Sequence, residues 1–171
     1  MLRIPVIRIK DKQAFADMLS LLGKPVDVAK KMKEEGYKLI HIIDMDALSG
    51  MPTNLDIYDN LTYFINVQVE CAPNDKIVKK LLSLKCRVVL DPSKLYSSKP
   101  GLSAIREKNL LVAKVQRDCA LPLDDFHDVV IEKADDDSVA RFAALGKRVI
   151  VSESDYGKLA NRKPVWGILL R

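Results

Sequence analysis

The chain has few cysteines, and no pattern connects them. Cys71, Cys86 and Cys119 are the only three among 171 residues, and neither a CxxC pair nor a His/Cys spacing suited to zinc is present. An odd, scattered set argues against a disulfide framework and a structural zinc site, so we expect free thiols in a reducing compartment. Because no metal-ligand set or cofactor motif is found, we expect neither a metal nor a cofactor.

Long apolar runs are also missing. No stretch approaches the ~20 apolar residues that a transmembrane helix needs. The segment Met1–Val6 lacks the long apolar stretch and small-residue cleavage site of a signal peptide. The sequence therefore predicts a cytoplasmic protein with no membrane partner.

Aromatic residues are scarce, at 6% of the chain, and the net charge of +5 comes from scattered lysines and arginines. Local clusters such as Lys30-Lys31 and Lys79-Lys80 fall on predicted helix surfaces, where charges are solvated. Nucleic-acid binding would need a concentrated basic stripe, ideally with interleaved aromatics. We therefore expect no nucleic-acid partner.

What the chain does have is a repeated alternation of short Val/Ile/Leu-rich runs with helical patterns, typical of parallel α/β folds. Eight such runs occur, which is the strand number of a (β/α)8 barrel. With 171 residues the chain is shorter than the ~200 or more of typical barrels. We predict that residues 1–171 form one shortened (β/α)8 TIM-type barrel domain with missing or reduced helices in the C-terminal half. The alternative is an incomplete barrel or an open parallel sheet.

Three connecting segments carry their own predictions. Gln13–Leu22 has apolar residues at helical spacing and is predicted to be an extra helix. Pro92–Pro100 is predicted to be a loop, and a short helix is predicted around Leu102–Lys108.

The last strand raises the question of what covers it. Alternation places Trp166 on the same face as Ile168 and Leu170. If that face points outward, no eighth helix follows to bury it. We therefore expect the Gln13–Leu22 segment or a second copy of the chain to cover this face, which favours a homo-oligomer.

Short segments in a fixed order resemble one enzyme family. The longest begins with the apolar run Leu39–Ile43, which ends in Asp44 and Asp46, and continues to Ile57. It resembles the second strand of the ribotide isomerases of histidine biosynthesis, to which the cyclase subunit of imidazole glycerol phosphate synthase is related. Other segments that resemble this family in the same order are Ile4–Ile7, Gly23–Lys31, Val67–Val69, Arg87–Leu90 and Val149–Ser152.

The resemblance implies a βα-barrel related to an intramolecular sugar-phosphate isomerase of the aldose–ketose type. It also implies changed chemistry, because Arg8 and Lys114 stand where the family carries catalytic aspartates on its first and fifth strands. An arginine stays protonated and cannot act as a general base. The family's glycine-rich phosphate turns are replaced by Glu70–Ala72, Asp91-Pro92 and Ser152–Ser154. We expect a barrel that binds a phosphorylated sugar or nucleotide, with the native isomerase activity absent or reorganised.

Strand alternation gives a second prediction for the carboxyl end of the barrel, where chemistry sits in this fold. Four pairs of polar residues, each two positions apart, follow the apolar part of a predicted strand, and we expect them to point inward as a polar ring. The pairs are Arg8 and Lys10, Asp44 and Asp46, Gln68 and Glu70, and Lys114 and Gln116. The candidate catalytic residues are Lys114, Asp44 and Asp46. The candidate ligand-binding residues are Arg8, Lys10, Gln68, Glu70, Gln116, Ser152 and Arg171.

The ring has three interpretations that the sequence leaves open. Neutralised charges would plug the mouth, a partly buried set would bind a ligand, and groups with shifted pKa values would catalyse. His41 alternates with the two aspartates and is expected to face the helices. His127 has no evident partner, and Cys71 is expected to be an inert thiol.

Three hypotheses follow for the function of the whole chain. The first is an isomerase-related barrel that binds a phosphorylated small molecule. The second is a catalytically silent partner or regulatory subunit, assembled through the uncovered C-terminal half. The third is an isomerase with a relocated acid and base, namely Asp44 or Asp46 with Lys114.

Overall fold

Eight parallel strands close into a barrel in this computed structural model, which describes residues 1–17, 19–98 and 105–170. Each barrel strand pairs with the next along the chain, and the last pairs with the first from Leu2↔Gly167 to Pro5↔Leu170. The predicted shortened TIM-type barrel is confirmed, and an incomplete barrel or open sheet is excluded. The barrel strands are β1 (Leu2–Lys10), β4 (Leu39–Asp44), β5 (Asn66–Glu70), β6 (Arg87–Leu90), β7 (Leu111–Gln116), β8 (Asp128–Glu132), β9 (Arg148–Ser152) and β10 (Val165–Leu170).

Two connections in the C-terminal half have a reduced helix or none, as predicted, since α7 (Glu153–Tyr156) has only four residues. Residues 117–127, which connect β7 to β8, form no helix. In the part of the chain that the structure describes, no helix is long and apolar enough to cross a membrane. The helices are α1 (Pro25–Glu34), α2 (Met45–Leu48), α3 (Leu55–Leu61), α4 (Asp75–Ser83), α5 (Pro92–Ser98), α6 (Asp136–Ala144) and α7 (Glu153–Tyr156).

Local sequence explains where the longer helices begin and end. Pro25 occupies the first turn of α1, where its missing N–H costs nothing, and Gly36 follows the helix with a φ of +90°. The Asn74 side chain accepts hydrogen bonds from the backbone of Lys76 and Ile77 and so caps α4. The apolar stripe of α4, which includes Ile77, is buried against the barrel.

The segment predicted as an extra helix is a β-hairpin instead. Asp11 and Lys12 both have positive φ, the geometry of a two-residue type I′ turn, and they fold β2 (Gln13–Phe15) back onto β1. The Asp17 carboxylate then accepts hydrogen bonds from two backbone N–H groups in the turn before β3 (Leu21–Gly23). Since β4 occupies the other edge of β1 at this level, β2 lies on the β10 edge, beyond the point where β10 ends.

Two further local predictions are corrected or fall partly outside the described residues. Pro92–Ser98 is a helix and not the predicted loop. Pro92 suits a first helical position, and the Asp91 carboxylate accepts a hydrogen bond from the Ser93 backbone at 3.0 Å. The helix predicted around Leu102–Lys108 lies partly outside the described residues. Residues 105–107 are not helical, and a short 3-10 turn, Lys108–Leu110, follows them.

The orientation predicted for Trp166 is wrong, because β10 contains an irregularity between Val165 and Gly167. The bulge turns Trp166 toward the interior of the barrel, while Ile168 remains in the outer core. That outer face is buried within the chain itself, since α7 packs on β9 and β10. Neither the hairpin nor a second copy of the chain is needed to cover it.

Apolar residues form two layers, one between the barrel and the helices and one inside the barrel. The outer layer is the larger and contains most of the buried strand and helix residues. The inner layer is a narrow aliphatic belt, against which Leu2, Ile43 and Trp166 pack as partly buried residues. The buried members of that belt are Ile4, Val6, Leu39, Val89, Val112, Val130, Ile150 and Leu169.

Candidate functional site

Two adjoining cavities open at the carboxyl end of the barrel strands, where active sites lie in this fold. The larger mouth cavity has a volume of about 510 Å³ and the smaller mouth cavity about 300 Å³. Glu70, Lys114 and Glu132 line both of them. These three side chains therefore form the wall that divides the mouth.

The dividing wall is a cluster of ion pairs centred on Lys114. Its ammonium lies 2.7 Å from one oxygen of Glu70 and 3.1 Å from one oxygen of Glu132. Burial alone would lower the pKa of Lys114, but the hydrogen bonds that its ammonium donates to the two carboxylates outweigh burial and raise the pKa. Lys114 is therefore a protonated cation held between two carboxylates.

Glu70 is also held from below, by His41. The Nε2 atom of His41 lies 3.5 Å from the second oxygen of Glu70. Burial would raise the pKa of Glu70, but hydrogen bonds from His41 and Lys114 lower it to about 2. Glu70 is consequently ionised at any ordinary pH and is a weak base.

The inward position of His41 corrects the prediction that it faces the helices. In β4, Leu39 and Ile43 pack with the inner aliphatic belt, so His41 between them also points inward. Its Nδ1 atom is 2.8 Å from the side-chain amide of Gln68, which is fully buried. Both of these side chains lie beneath Glu70, inside the barrel.

A second polar cluster closes the floor of the barrel, at the amino ends of the strands. Asp128 is fully buried and pairs with Arg87 and, through two hydrogen bonds of 2.6 and 2.9 Å, with Arg148. The Trp166 ring lies against both guanidinium groups, at 5.2 and 4.3 Å from its centroid. His127 also contacts Asp128, at 2.8 Å, so the expectation that it has no partner is wrong.

The two aspartates predicted to point into the mouth lie outside the barrel, on the helix side of the strands. Asp44 shares its strand face with the outward residues of β4 and caps α2, and Asp46 belongs to that helix. Asn54 donates to both carboxylates at 2.8 Å, and the Tyr58 hydroxyl donates to Asp44 at 2.7 Å. Asp46 also accepts the backbone N–H of Asp11 at 2.8 Å, so the pair fastens the hairpin turn to the barrel.

The pKa of Asp44 shifts in the opposite direction to that of Glu70. Burial raises the pKa of Asp44, although the hydrogen bonds that it accepts oppose the shift. Burial also raises the pKa of the nearby Cys71 thiol to about 12, which supports an inert thiol. In residues 1–17, 19–98 and 105–170, no group of three or more His, Cys, Asp or Glu side chains is placed to hold a metal.

The remaining predicted residues are distributed around the rim. The Arg8 guanidinium donates to the Ala16 carbonyl at 3.0 Å, which ties the hairpin to the mouth. Lys10 is exposed at the end of β1. Gln116 donates to Glu132 on the outer rim. Arg171 lies outside the described residues.

Ser152 lines the smaller mouth cavity together with two residues that were not among the candidates. Its hydroxyl is 2.9 Å from that of Ser154 and accepts the Asp155 N–H at 3.0 Å. Lys133 reaches the same cavity from the turn after β8, where its φ is +55°. A cation after a strand is a weak sequence signal by itself, so only the fold brings Lys133 beside the two serines.

The comparisons with known proteins found relatives that are similar to part of this chain, three of which carry the same enzyme name. The phosphoribosyl imidazole-carboxamide isomerase of Methanocaldococcus jannaschii is 39% identical over 94 residues, which are 49% of this chain and 40% of that protein. The same enzyme of Nitrosopumilus maritimus is 30% identical over 105 residues, 60% of this chain and 38% of that protein. That of Pelagibacter ubique is 31% identical over 125 residues, 66% of this chain and 48% of that protein.

The similarity covers only part of each protein. No family model matches the chain. The matched segments span less than half the length of each of these three relatives. The resemblance predicted from the short sequence segments is nonetheless confirmed.

Proposed function

We propose that this chain, a shortened and diverged relative of the ribotide isomerases of histidine biosynthesis, binds a phosphorylated sugar or nucleotide at the mouth of its barrel without catalysing the ribotide isomerase reaction. The observation that carries this proposal is the state of Lys114. Because its ammonium is held by Glu70 and Glu132, it cannot accept a proton in place of a catalytic aspartate. Arg8, at the other aspartate position, is a permanent cation bonded to the Ala16 carbonyl.

The smaller mouth cavity is suited to the phosphate of such a ligand. Lys133 supplies a positive charge at its rim, and the hydroxyls of Ser152 and Ser154 supply hydrogen-bond donors. These groups follow β8 and β9, which are the sixth and seventh strands of the barrel. Barrel enzymes frequently bind phosphate at the loops after the seventh and eighth strands. This cavity therefore takes the anionic end of the ligand.

The larger mouth cavity is suited to an uncharged group. Asp91 lines this cavity but not the smaller one and would repel a second phosphate, and Pro73 and Pro92 supply no N–H donor. Leu48 and neighbouring apolar residues provide a wall against which a sugar or base can pack. We therefore propose a ligand that carries phosphate at one end only.

Thermal-shift and calorimetric titrations with matched ligands test this proposal. Ribose 5-phosphate and adenosine monophosphate should stabilise the protein, whereas ribose and adenosine should not. At about 100 times Kd, the bound ligand should add about 2.7 kcal/mol to the free energy of unfolding. Adenosine 3′,5′-bisphosphate should bind more weakly than the monophosphate, because its second phosphate meets the acidic cavity.

Three variants and a direct assay complete the test. Lys133→Ala and Ser152→Ala should each weaken phosphate binding about tenfold, equivalent to ~1.4 kcal/mol. Lys163→Ala, an exposed lysine outside both cavities, is the matched control and should bind like the unmodified protein. Absence of stabilisation by any phosphorylated ligand, or turnover of the ribotide by the unmodified chain, would refute the proposal.

A second candidate is a catalytically silent partner or regulatory subunit. It is favoured by the leucines of the hairpin, since Leu19, Leu21 and Leu22 are 93%, 61% and 45% exposed. Light scattering should then report a homo-oligomer, and Leu21→Ser should shift it toward the monomer.

A cytoplasmic location remains part of the proposal and is supported by the three cysteines, which are unpaired thiols.

A further inference from the structure

We infer that a hydrogen-bonded chain along the barrel axis holds His41 in a single tautomer and, through it, fixes Glu70 at the ligand site. The chain runs from the floor cluster through Arg87 and Gln68 to His41. This makes Gln68 and His41 positioning residues for the mouth. Only the effect on ligand binding rests on the proposed function.

The direction of each hydrogen bond follows from the chemistry of the groups. The guanidinium of Arg87 has donors only, so its Nε atom, 3.0 Å from Oε1 of Gln68, must donate to that oxygen. The amide nitrogen of Gln68 is therefore the atom that faces Nδ1 of His41, at 2.8 Å. Since an amide NH2 can only donate, Nδ1 must accept and carries no proton.

The proton of the neutral imidazole is consequently on Nε2, the atom that faces Glu70 at 3.5 Å. Arg87 is itself oriented by Asp128, which also pairs with Arg148. The tautomer is thus determined by a carboxylate at the opposite end of the barrel. A flipped Gln68 amide is excluded, because its NH2 group would then face the guanidinium of Arg87, and both of these groups are donors.

The consequence at the mouth is a carboxylate with a separate donor on each oxygen. Oε2 of Glu70 faces His41 and Oε1 faces Lys114, which fixes the plane of the carboxylate. Lys114 is positioned in turn, and with it the wall that both cavities share. In the described part of the chain, no buried side-chain N or O atom lacks a hydrogen-bond partner.

A structural filling of the barrel would not need this arrangement. Aliphatic side chains already fill the belt beside His41 and Gln68, and further ones would avoid the cost of desolvating buried polar groups. The series of hydrogen bonds also ends at Glu70 and Lys114, which line the cavities. Both observations favour a role in positioning the site over a role in stability alone.

Nuclear magnetic resonance of the two histidines tests the inference directly. In 15N-labelled protein, long-range 1H–15N spectra distinguish a protonated from an unprotonated ring nitrogen, and His127→Asn assigns the two rings. His41 should show an unprotonated Nδ1 and a protonated Nε2. A protonated Nδ1, or rapid averaging of the two tautomers, would overturn the inference without any variant having to fold.

Two substitutions at Gln68 should move the signal in predictable ways. Gln68→Met removes the amide donor and should allow the tautomers to mix. Gln68→Glu replaces the donor with an acceptor and should place a proton on Nδ1. Gln13→Glu, at the exposed first position of β2, is the matched control and should leave the His41 spectrum unchanged.

The titration with ribose 5-phosphate separates this inference from the proposed function. Gln68→Met should weaken binding about tenfold while its folded circular dichroism is retained. Unchanged binding by this variant would overturn the positioning role. If the unmodified protein binds no phosphorylated ligand, the proposed function fails, and the tautomer still decides whether the chain orients His41.

Discussion

Replacing Glu70 with glutamine should produce a stability loss that depends on pH in a defined direction. In the folded protein the pKa of Glu70 falls from 4.5 to about 2, because the hydrogen bonds from His41 and Lys114 outweigh its burial. At ~1.4 kcal/mol per unit of pKa, the ionised carboxylate contributes about 3 kcal/mol to folding near neutral pH. The neutral amide of Glu70→Gln retains the shape of the side chain but loses this contribution.

The sign follows from the lowered pKa. Ionisation of Glu70 stabilises the fold above its unfolded pKa of 4.5, and this stabilisation is lost as the pH falls toward 2. The unfolding free energies of the unmodified and Glu70→Gln proteins should therefore differ by ~3 kcal/mol near pH 7. The difference should shrink by about 2 kcal/mol by pH 3.

Urea denaturation at a series of pH values measures this difference. Glu153→Gln is the matched control, since Glu153 forms only an exposed ion pair with Arg3 at 3.6 Å. Its effect should be small and nearly independent of pH. A Glu70→Gln deficit that stays constant from pH 7 to pH 3 would refute the assignment of Glu70 as a strongly stabilised carboxylate.

Three other substitutions have expected outcomes that equilibrium unfolding can check. Asp128→Asn should cost about 3 kcal/mol, because it leaves the largely buried guanidinium of Arg87 without its counter-charge. A loss below ~1 kcal/mol would contradict this expectation. Gly167→Ala should cost about 1–3 kcal/mol, since its Cβ would lie 2.9 Å from Ile4, and Ile4→Val in the same chain should recover part of the loss. Tyr58→Phe should cost about 1–3 kcal/mol by removing the 2.7 Å hydrogen bond to Asp44. Burial raises the pKa of Asp44, and loss of the Tyr58 hydrogen bond raises it further. The stability lost in Tyr58→Phe should therefore increase as the pH rises and Asp44 ionises. A loss that decreases with rising pH would contradict this prediction.

The sequence was sufficient to predict the barrel, because eight apolar runs that alternate with helical segments indicate parallel strands, whichever face of each strand points inward. It was not sufficient to predict which way β4 faces. Leu39–Asp44 is buried on both sides, so its apolar run contains no alternation that separates the interior from the helix layer. The prediction used Asp44 and Asp46 as the inward pair, but Asp46 is already helical and strand alternation does not apply to it.

The neighbouring strand held information that would have corrected this error. Gln68 and Glu70 were placed inward correctly, and in a parallel barrel their partners at the same level are His41 and Ile43. The error at Trp166 had a different cause, because a bulge of one residue reverses alternation and leaves no mark in the sequence. The hairpin at Gln13–Leu22 was missed because Asp-Lys is an uncommon choice for a turn with two positive φ angles.

Closure of the barrel has a consequence for how the protein folds. The pairing of β1 with β10 joins segments separated by almost the whole chain, while every other barrel pairing joins strands that follow one another. Bringing distant segments together costs chain entropy before any contact repays it, and such topologies fold slowly. During synthesis, the backbone groups of the Leu2–Pro5 edge therefore lack their partner until β10 has been made, and an unpaired edge can associate with other chains.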